Sequence, residues 1–474
     1  MMHRILTVAT VTIASLVAPA AASAAIMIGA ESNAEIVNST VTPAAQTATL
    51  LTMRLQGTQV VRANFGWNEI ATGACAGQTP ALLAVHTNPC YNWTLVDNFA
   101  TTTKAFGMKS LVSFTRNPSW VLGNADPHYM GTTTAEFHTL TNHYAAFLAA
   151  AGDRYKAGSP FGTITYWTIH NESNSPTFWK PKPDATRYGY LFAKAAVALR
   201  GTNPGAKIAA GPTNPTGNGP GGIKPAVFVN QATKAMRTYL PGGLANQRTF
   251  LNAWAHNPYP GVTAQPSVPA KVAAPTVIGM ATIDRLFTAL DKDPLTKGIK
   301  VWATEFGYNT SGDQAISERQ QAQFLAEVFD WLDSKKRVEM GISYGLSDEK
   351  DGYWKSGTYR VNGTPKPSHW MMQRLISVPA GGLNGVVKRN ATVQIYGRSA
   401  IAPKSAQLVY RIVGRQCMKG YTWCPVKRTK TAGGAMRAAM KLPAGSYQFA
   451  VWDNGDTTRS IPAGYGPSRS IRSR

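Results

Sequence analysis

Short apolar runs alternate with longer amphipathic stretches eight times between residues 26 and 376, and this alternation constrains the fold more than any other feature. The apolar runs have the length of buried strands, and the amphipathic stretches repeat their apolar positions with helical period. Strands that alternate with helices pair in parallel, because each helix returns the chain to the same edge of the sheet. Eight such units predict an α/β fold, a (β/α)8 TIM barrel at residues 25–377. The predicted strands span residues 26–29, 60–64, 109–114, 163–169, 207–210, 250–255, 300–304 and 340–344.

The chain changes character after the predicted barrel. Residues 378–391 contain a Pro-Ala-Gly-Gly sequence and are interpreted as a linker. Residues 392–462 contain short strand-like runs bounded by Gly, Pro and Asn, which predict a small C-terminal β-sandwich-like domain. Residues 463–474 are rich in Gly, Ser and Arg and are expected to form a disordered basic tail.

The N-terminal segment predicts export. A short basic start, an apolar run and a small-residue site at residues 22–24 have the form of a secretory signal peptide over residues 1–24. No later segment is apolar for the roughly 20 residues that a membrane-spanning helix needs. We therefore expect a secreted, extracellular protein without a membrane span.

The four cysteines form two local pairs, Cys75 with Cys90 and Cys417 with Cys424. An even number of cysteines in an exported chain favours two disulfides, and free thiols are the alternative. Neither a CxxC nor an HExxH spacing occurs. We therefore predict neither a metal ion nor an organic cofactor.

Basic residues are concentrated at the C-terminal end. The formal net charge is +24, and from Lys388 onward 16 Lys and Arg face two acidic residues, a local excess of +14. A field of this size attracts polyanions. For an exported chain an anionic polysaccharide is a more natural partner than nucleic acid, and no specific nucleic-acid partner is predicted. A basic surface that is merely solvated is an equally good interpretation.

Two predicted strands deliver a carboxylate to their C-terminal ends, where barrel enzymes carry their catalytic groups. Glu172 follows the fourth strand and Glu305 follows the seventh. Two-residue alternation places Val301, Ala303 and Glu305 on one face of the seventh strand, so Trp302 is expected to face the helices. Opposed carboxylates suit glycoside hydrolysis, in which one protonates the leaving oxygen and the other stays ionised.

These residues resemble clan A glycoside hydrolases, families 39 and 5 in particular, over residues 26–376. The resemblance is carried by Asn171-Glu172 after the fourth strand, Glu305 after the seventh and Arg62 at the end of the second. It implies retention, with Glu172 as acid/base and Glu305 as nucleophile. Further matches in the same order are Tyr91-Asn92-Trp93, Asp97, Gly107-Met108-Lys109, Pro118-Ser119-Trp120 and His256-Asn257-Pro258-Tyr259.

Each matched residue has a physical role in such a site. Asn171 is expected to bind the sugar 2-hydroxyl, and Arg62 and Tyr259 to donate to Glu305 and keep it ionised. The negative charge of Glu305 is the expected reason for a raised pKa at Glu172. The resemblance implies that His256 lines the site, and structural packing is its alternative.

The sequence departs from the clan at the end of the eighth strand, where a tryptophan normally lies beneath the sugar. Tyr344 occupies this position, and Trp354 follows in the next loop. Either aromatic residue is a candidate platform for the carbohydrate substrate. The alternative function is a non-catalytic extracellular or cell-wall binding protein on a glycosidase-like barrel. Hydrolysis of another bond, such as an ester, is a third and less favoured alternative.

Overall fold

The computed structural model describes residues 25–474 except 261–274, 313–314, 351–353, 381–384, 401–404, 417–422, 433 and 454–468. Eight parallel strands close into a barrel in chain order, with the first strand paired to the eighth. This confirms the predicted (β/α)8 fold. The barrel strands are β1 Met27–Glu31, β2 Val60–Gly66, β3 Lys109–Thr115, β4 Tyr166–Ile169, β5 Lys207–Thr213, β6 Ala253–His256, β7 Lys300–Phe306 and β8 Val338–Tyr344.

Helices surround the barrel, and the longest have clear N-terminal signals. Thr133 and Glu136 form a capping box at the start of the helix at Thr134–Arg154, and Ser317 and Gln320 form another before Glu318–Asp333. Such caps satisfy backbone amides that the first turn leaves unpaired, each for about 1 kcal/mol. The helices are α1 Asn33–Ile36, α2 Pro43–Leu55, α3 Trp67–Ile70, α4 Pro80–Leu83, α5 Thr94–Ala105, α6 Ser119–Leu122, α7 Thr134–Arg154, α8 Ala185–Thr202, α9 Pro225–Tyr239, α10 Leu244–Gln247, α11 Asp284–Leu290, α12 Glu318–Asp333 and α13 Pro367–Gln373.

The barrel axis is filled by side chains from different strands. A buried apolar cluster gathers residues of β2, β3, β5, β6, β7 and β8, among them Val60, Leu111 and Trp302. The expectation that Trp302 faces the helices is therefore wrong. The β7–β8 pairing shifts register between Ala303 and Phe306, and this irregularity breaks the alternation that had been extended back from Glu305.

The interior is packed closely enough to require glycine on β1. A Cβ at Gly29 would lie 2.2 Å from Cδ1 of Ile342 and 2.7 Å from the carbonyl oxygen of Val60. Because neither neighbour can withdraw from a filled axis, only glycine fits there. The absence of this side chain lets β1 approach β2 and β8 and brings Glu31 to the C-terminal end of the barrel.

Two further sheets form the C-terminal β region, consistent with the predicted sandwich-like domain. One has the strand order β10-β17-β16-β12-β13, and the other has the order β14-β15-β11-β9. Side chains from both sheets share one buried apolar cluster with α12 and α13. The strands are β9 Arg374–Ser377, β10 Val386–Val387, β11 Thr392–Ser399, β12 Ala406–Ile412, β13 Cys424–Pro425, β14 Lys430–Ala432, β15 Ala435–Lys441, β16 Gly445–Asp453 and β17 Arg469–Ser473.

The structure corrects two boundaries at this end. Arg374–Ser377, which the sequence analysis placed inside the barrel at residues 25–377, pairs with β11 as a strand of the C-terminal sheet. The prediction of a disordered tail is wrong for Arg469–Ser473, which pairs with β16 and with Val386–Val387. The sequence alone did not reveal this strand, since Ile471 is its one large apolar residue and long-range pairing supplies its stability.

Ion pairs and one disulfide complete the framework. Arg437 of β15 contacts Asp330 at 2.6 Å and Asp333 at 2.9 Å, which joins the β region to α12. Cys75 and Cys90 form the predicted disulfide. Cys424 is also disulfide-bonded, and its predicted partner Cys417 lies outside the described residues. Within the described part of the chain, no helix is long and apolar enough to cross a bilayer.

Candidate active site

Glu172 lies directly after β4, on a stretch of backbone that departs from strand geometry. His170 and Glu172 both have positive φ, 66° and 43°. Non-glycine residues in this region are uncommon and concentrate at functional sites. The turn buries the Glu172 carboxylate, which is 5 % exposed. Its Oε1 accepts a hydrogen bond from Nδ2 of Asn257 at 2.8 Å, and its Oε2 accepts one from Nδ2 of Asn214 at 3.1 Å.

Glu305 lies near the end of β7 and receives three side-chain donors. Nη1 of Arg62 donates to Oε2 at 2.7 Å, the Tyr259 hydroxyl donates to Oε1 at 2.5 Å, and Nδ2 of Asn257 contacts Oε2 at 3.1 Å. Hydrogen bonds of this kind favour a carboxylate in its ionised form. The predicted contacts of Arg62 and Tyr259 with Glu305 are therefore present in the structure.

The amide nitrogen of Asn257 sets an upper limit on the separation of the two carboxylates. It lies 2.8 Å from Oε1 of Glu172 and 3.1 Å from Oε2 of Glu305. The two oxygens therefore cannot be further apart than the sum of these distances, 5.9 Å. Oδ1 of Asn257 accepts from the Thr304 hydroxyl at 2.8 Å, and this contact orients the amide so that its NH2 group faces the acids.

Burial and charge raise the pKa of Glu172. Removal of the carboxyl from water is the larger cause and the negative charge of Glu305 is the second, and together they raise the pKa to about 7. The expected influence of Glu305 is present, but burial outweighs it. A carboxyl group with this pKa still carries its proton in a large fraction of molecules near neutral pH.

Arg62 lies inside the barrel rather than at a strand end, because β2 continues to Gly66. It is fully buried. Its Nη1 donates to Oε2 of Glu31 at 2.5 Å as well as to Glu305, and its Nη2 donates to Oδ1 of Asn171 at 2.8 Å. The two carboxylates raise the pKa of Arg62 above its ordinary value. Arg62 therefore holds Glu31, Asn171 and Glu305 in fixed relative positions.

Glu31 is a buried carboxyl that the sequence analysis did not identify. Its Oε1 accepts from Nδ2 of Asn33 at 2.6 Å and from Nδ2 of Asn64 at 2.7 Å. Burial raises the pKa of Glu31 to about 8, although the positive charge of Arg62 acts in the opposite direction. Glu31 is the last residue of β1. Glu172 was selected because it follows a predicted strand, and the same reasoning would have selected Glu31 if the first strand had been predicted to its full length. The predicted strand ended at residue 29.

His256 is adjacent to the site in sequence but not in contact with it. The side chain is fully buried, with Nδ1 2.8 Å from the Thr213 hydroxyl and Nε2 2.8 Å from the carbonyl oxygen of Ile278. Burial lowers the pKa of His256 to about 4. Because alternate residues of a strand face the same side, Ala253 and Ala255 of β6 face the axis and Asn257 follows them inward. Asn257 is therefore the residue of this motif that reaches both acids.

Two cavities meet at Glu305. The first, of about 510 Å³, is lined by Glu172, Glu305, Tyr259 and Trp354 among others. The second, of about 400 Å³, is lined by Glu305, Asn171 and Tyr344 among others. Arg62 and His256 are in the wall of neither cavity. Of the two candidate platforms, Trp354 lines the first cavity and Tyr344 the second, and both line a smaller third cavity of about 210 Å³.

Asn214 is a further site residue that the sequence analysis missed. It directly follows Thr213, the last residue of β5, and donates to Glu172. Its position after a barrel strand was a usable signal, but the predicted strand ended at residue 210. Among the described residues, no group of three or more His, Cys, Asp or Glu side chains is arranged to hold a metal ion.

Comparison with known proteins identifies the class of this site. Residues 279–367, which contain β7, β8 and Glu305, match the family described as glycosyl hydrolase catalytic core. No curated protein matches the chain in sequence. Among solved structures, similar folds occur in a family 39 glycoside hydrolase from Bacteroides cellulosilyticus WH2 (TM-score 0.54, 15 % identity, 90 % of this chain and 81 % of the other). A similar fold also occurs in a glucosidase from Croceicoccus marinus (TM-score 0.54, 11 % identity, 91 % of this chain and 96 % of the other). Another occurs in a GH39 enzyme from Xanthomonas axonopodis pv. citri (TM-score 0.52, 13 % identity, 91 % of this chain and 96 % of the other).

The matched catalytic core and the barrel together define a glycoside hydrolase. Its fold is similar to that of family 39, and the resemblance to clan A enzymes is confirmed at this level. A carbohydrate substrate follows from the class.

Proposed function

We propose that this protein is a secreted, retaining O-glycoside hydrolase that works by double displacement, with Glu305 as nucleophile and Glu172 as acid/base. The observation that carries the proposal is the shared contact with Asn257, which keeps the facing carboxylate oxygens within 5.9 Å of each other. Retaining enzymes have carboxyl groups about 5–5.5 Å apart, and inverting enzymes about 6.5–9.5 Å apart to admit a water molecule. The limit at this site favours retention.

In the first step, a carboxylate oxygen of Glu305 attacks the anomeric carbon while Glu172 gives its proton to the glycosidic oxygen. The C–O bond to the leaving group breaks, the alcohol departs, and a covalent glycosyl-enzyme forms. Arg62 and Tyr259 hold Glu305 through hydrogen bonds of 2.7 and 2.5 Å. They restrict its motion and keep it ionised before the attack.

In the second step, Glu172 acts as base and removes a proton from water, which attacks the anomeric carbon and releases Glu305. The charge of Glu305 is neutralised in the covalent intermediate, so one of the causes that raise the pKa of Glu172 disappears. Glu172 is then better able to remain ionised until it accepts the proton. Two inversions at the same carbon give net retention of configuration.

Asn171 is proposed to bind the sugar 2-hydroxyl. Its Oδ1 accepts from Arg62 at 2.8 Å, which leaves its NH2 group to face the second cavity. Hydrogen bonds to the 2-hydroxyl strengthen as the transition state forms. Tyr344, at the end of β8 in the same cavity, is the proposed platform for this sugar.

Secretion rests on the signal-like segment at residues 1–24 and agrees with the disulfide between Cys75 and Cys90. Expression of the whole chain in a secreting host, followed by N-terminal sequencing, tests it. We expect the exported protein to begin at residue 25. Retention of residues 1–24 in a cell-bound product would contradict secretion and leave the catalytic proposal unaffected.

The catalytic assignment is tested with two variants and aryl glycosides that carry good leaving groups. Glu305→Gln should lower kcat by at least about 10⁴-fold, since no nucleophile remains. Glu172→Ala should also be slow, but azide should restore turnover, because the anion attacks the anomeric carbon, displaces Glu305 and needs no base to remove a proton. The glycosyl azide should have the configuration of the substrate, as read by proton NMR. Near-full activity of both variants would contradict the assignment, and tight glycan binding without cleavage by the wild type would favour the non-catalytic alternative.

A further inference from the structure

The two cavities that meet at Glu305 take different parts of the substrate, provided the proposed function holds. Glu305 lines both cavities, so an anomeric carbon placed for attack by Glu305 would lie where they meet. Glu172 lines only the first, and the acid/base must face the oxygen of the leaving group. Asn171 and Tyr344 line the second and not the first. We therefore call the first the leaving-group cavity and the second the glycone cavity.

The walls of the leaving-group cavity are largely apolar. Trp354 stands at its edge, 37 % exposed, and its ring lies 5.5 Å from the ring of Tyr259 with an angle of 32° between the planes. The other apolar lining residues are Phe178, Pro215, Pro260, Val277 and Ile316. Flat aromatic and aliphatic surfaces of this kind gain free energy when an apolar group displaces water from them.

Most polar groups described for this cavity already have partners within the protein. Asn214 donates to Glu172 and accepts from the backbone N–H of Thr216 at 3.0 Å and of Gly217 at 3.1 Å. The Tyr259 hydroxyl donates to Glu305, and Oδ1 of Asn309 accepts from the backbone N–H of Lys355 at 2.7 Å. A second sugar would lose water from several hydroxyl groups here and find few free partners, which is unfavourable.

The glycone cavity has the opposite character. Its lining includes Asn33, Asn64, Glu69, Arg116 and His128, in addition to Asn171. Glu69 and Arg116 form an ion pair of 2.9 Å whose two side chains are each about a third exposed, so both remain accessible to hydroxyl groups. The polar glycone cavity therefore suits a sugar, and the apolar leaving-group cavity suits a group with few hydroxyls.

We propose that the leaving group is an apolar alcohol, such as an aryl or long-chain alkyl aglycone, rather than a second sugar residue. Cleavage breaks the bond between the anomeric carbon and the aglycone oxygen. The oxygen takes the proton of Glu172 and departs as the free alcohol, and Glu305 takes its place on carbon. Trp354 and Ile316 contact the aglycone and determine this specificity.

The proposal is tested by binding of methyl, butyl and hexyl β-D-glucopyranoside and β-D-xylopyranoside to the Glu305→Gln variant, measured by titration calorimetry. The chains differ only in methylene groups, so the change in Kd reports contact with the leaving-group cavity. We expect Kd to fall by about three- to fourfold for each buried methylene. Cellobiose, which shares the glucosyl unit, should bind more weakly than hexyl glucoside.

A second variant ties the effect to this cavity. Trp354→Ala in the Glu305→Gln background should abolish most of the chain-length dependence. Leu55→Ala, at a 62 % exposed position on α2, is the matched control and should retain it. A Kd that is independent of chain length, or tighter binding of cellobiose than of hexyl glucoside, would overturn the proposal. Because this measurement needs no turnover, its failure is distinct from the failure of the catalytic assignment, which is judged by hydrolysis in the wild type.

Discussion

Glu31 and Glu305 accept hydrogen bonds from the same nitrogen, Nη1 of Arg62, at 2.5 and 2.7 Å. One buried positive charge therefore serves two carboxylates on β1 and β7, the strands that flank β8. Each carboxylate reduces the stabilisation that Arg62 can offer to the other. The arrangement links the proposed nucleophile to a residue that is buried away from the substrate cavities.

Replacement of Glu31 by Gln should affect activity mainly above the pH at which Glu31 ionises. Burial raises the pKa of Glu31 to about 8, so below this pH its carboxyl is largely protonated and Gln is a close substitute. We expect kcat/KM of the variant and the wild type to agree within about twofold at pH 6 and to diverge above pH 8. The measurement is the pH profile of kcat/KM. Glu318→Gln, whose carboxylate pairs with Arg360 instead, is the control and should show no such divergence. A loss of about tenfold or more for Glu31→Gln at pH 6 would contradict this account.

Because the pKa of Glu172 is raised, we predict that this residue lowers the free energy of unfolding at alkaline pH. A folded-state pKa of about 7 lies above the ordinary value of 4.5, so the folded state binds the proton more tightly than the unfolded state. The favourable contribution is fully present below pH 4.5 and is lost as the pH rises through about 7. Glu172→Gln should remove this loss and make the protein more stable than the wild type at pH 8, by up to about 3 kcal/mol.

Thermal unfolding of the wild type and Glu172→Gln at pH 5 and pH 8 checks this prediction. The two proteins should differ little at pH 5 and clearly at pH 8. Glu31, whose pKa is raised to about 8, should contribute a pH dependence of the same sign to both proteins. A Glu172→Gln variant that is no more stable than the wild type at pH 8 would contradict the assigned cause.

Asn257 and His256 are neighbours in sequence with different expected phenotypes. Asn257→Ala removes the donor shared by the two acids, so kcat/KM should fall by about 10²-fold, and the loss of its buried bond with Thr304 should also lower Tm. His256→Ala leaves the carbonyl of Ile278 and the hydroxyl of Thr213 without their buried partner, so Tm should fall and kcat change less. Parallel kinetic and calorimetric measurements on both variants distinguish the roles. The reverse pattern would mean that His256, not Asn257, acts in the site.

Loss of the disulfide between Cys75 and Cys90 should lower stability without affecting the chemistry. The bond closes a loop with a sequence separation of 15. Cross-links of this span stabilise a protein by about 3 kcal/mol, mainly through the unfolded chain. Cys75→Ala/Cys90→Ala should therefore lower Tm by several degrees and leave kcat/KM within about twofold for the protein that remains folded. Equal Tm values with and without the bond would contradict this expectation.

Several features of the fold and site were predictable from local sequence. The eight alternations of apolar run and amphipathic stretch indicated the barrel, because each strand must bury both faces and each helix one. Glu172 and Glu305 stood out because acids are rare in this chain and both follow buried strands. Strand ends were placed less well. The predicted first strand stopped two residues before Glu31, and the fifth stopped before Thr213, so Glu31 and Asn214 were missed.

Other features depended on contacts between distant parts of the chain. The irregular β7–β8 pairing places Trp302 in the axis although simple alternation puts it outside. The terminal strand Arg469–Ser473 has little intrinsic signal and exists because it pairs with Gly445–Asp453. Neither result follows from propensity, since the free energy comes from pairing with strands elsewhere in the chain or from a local change in register.

The sequence by itself determined the class of fold, the two acids and the order in which the barrel presents them, because periodicity and strand-end position are local properties. Only the tertiary structure decided that one amide of Asn257 spans both acids, and that Arg62 divides its charge between Glu31 and Glu305. These relationships join residues from five different strands or strand ends. Their distances are set by closure of the barrel and by packing along its axis, which no single segment of the chain encodes.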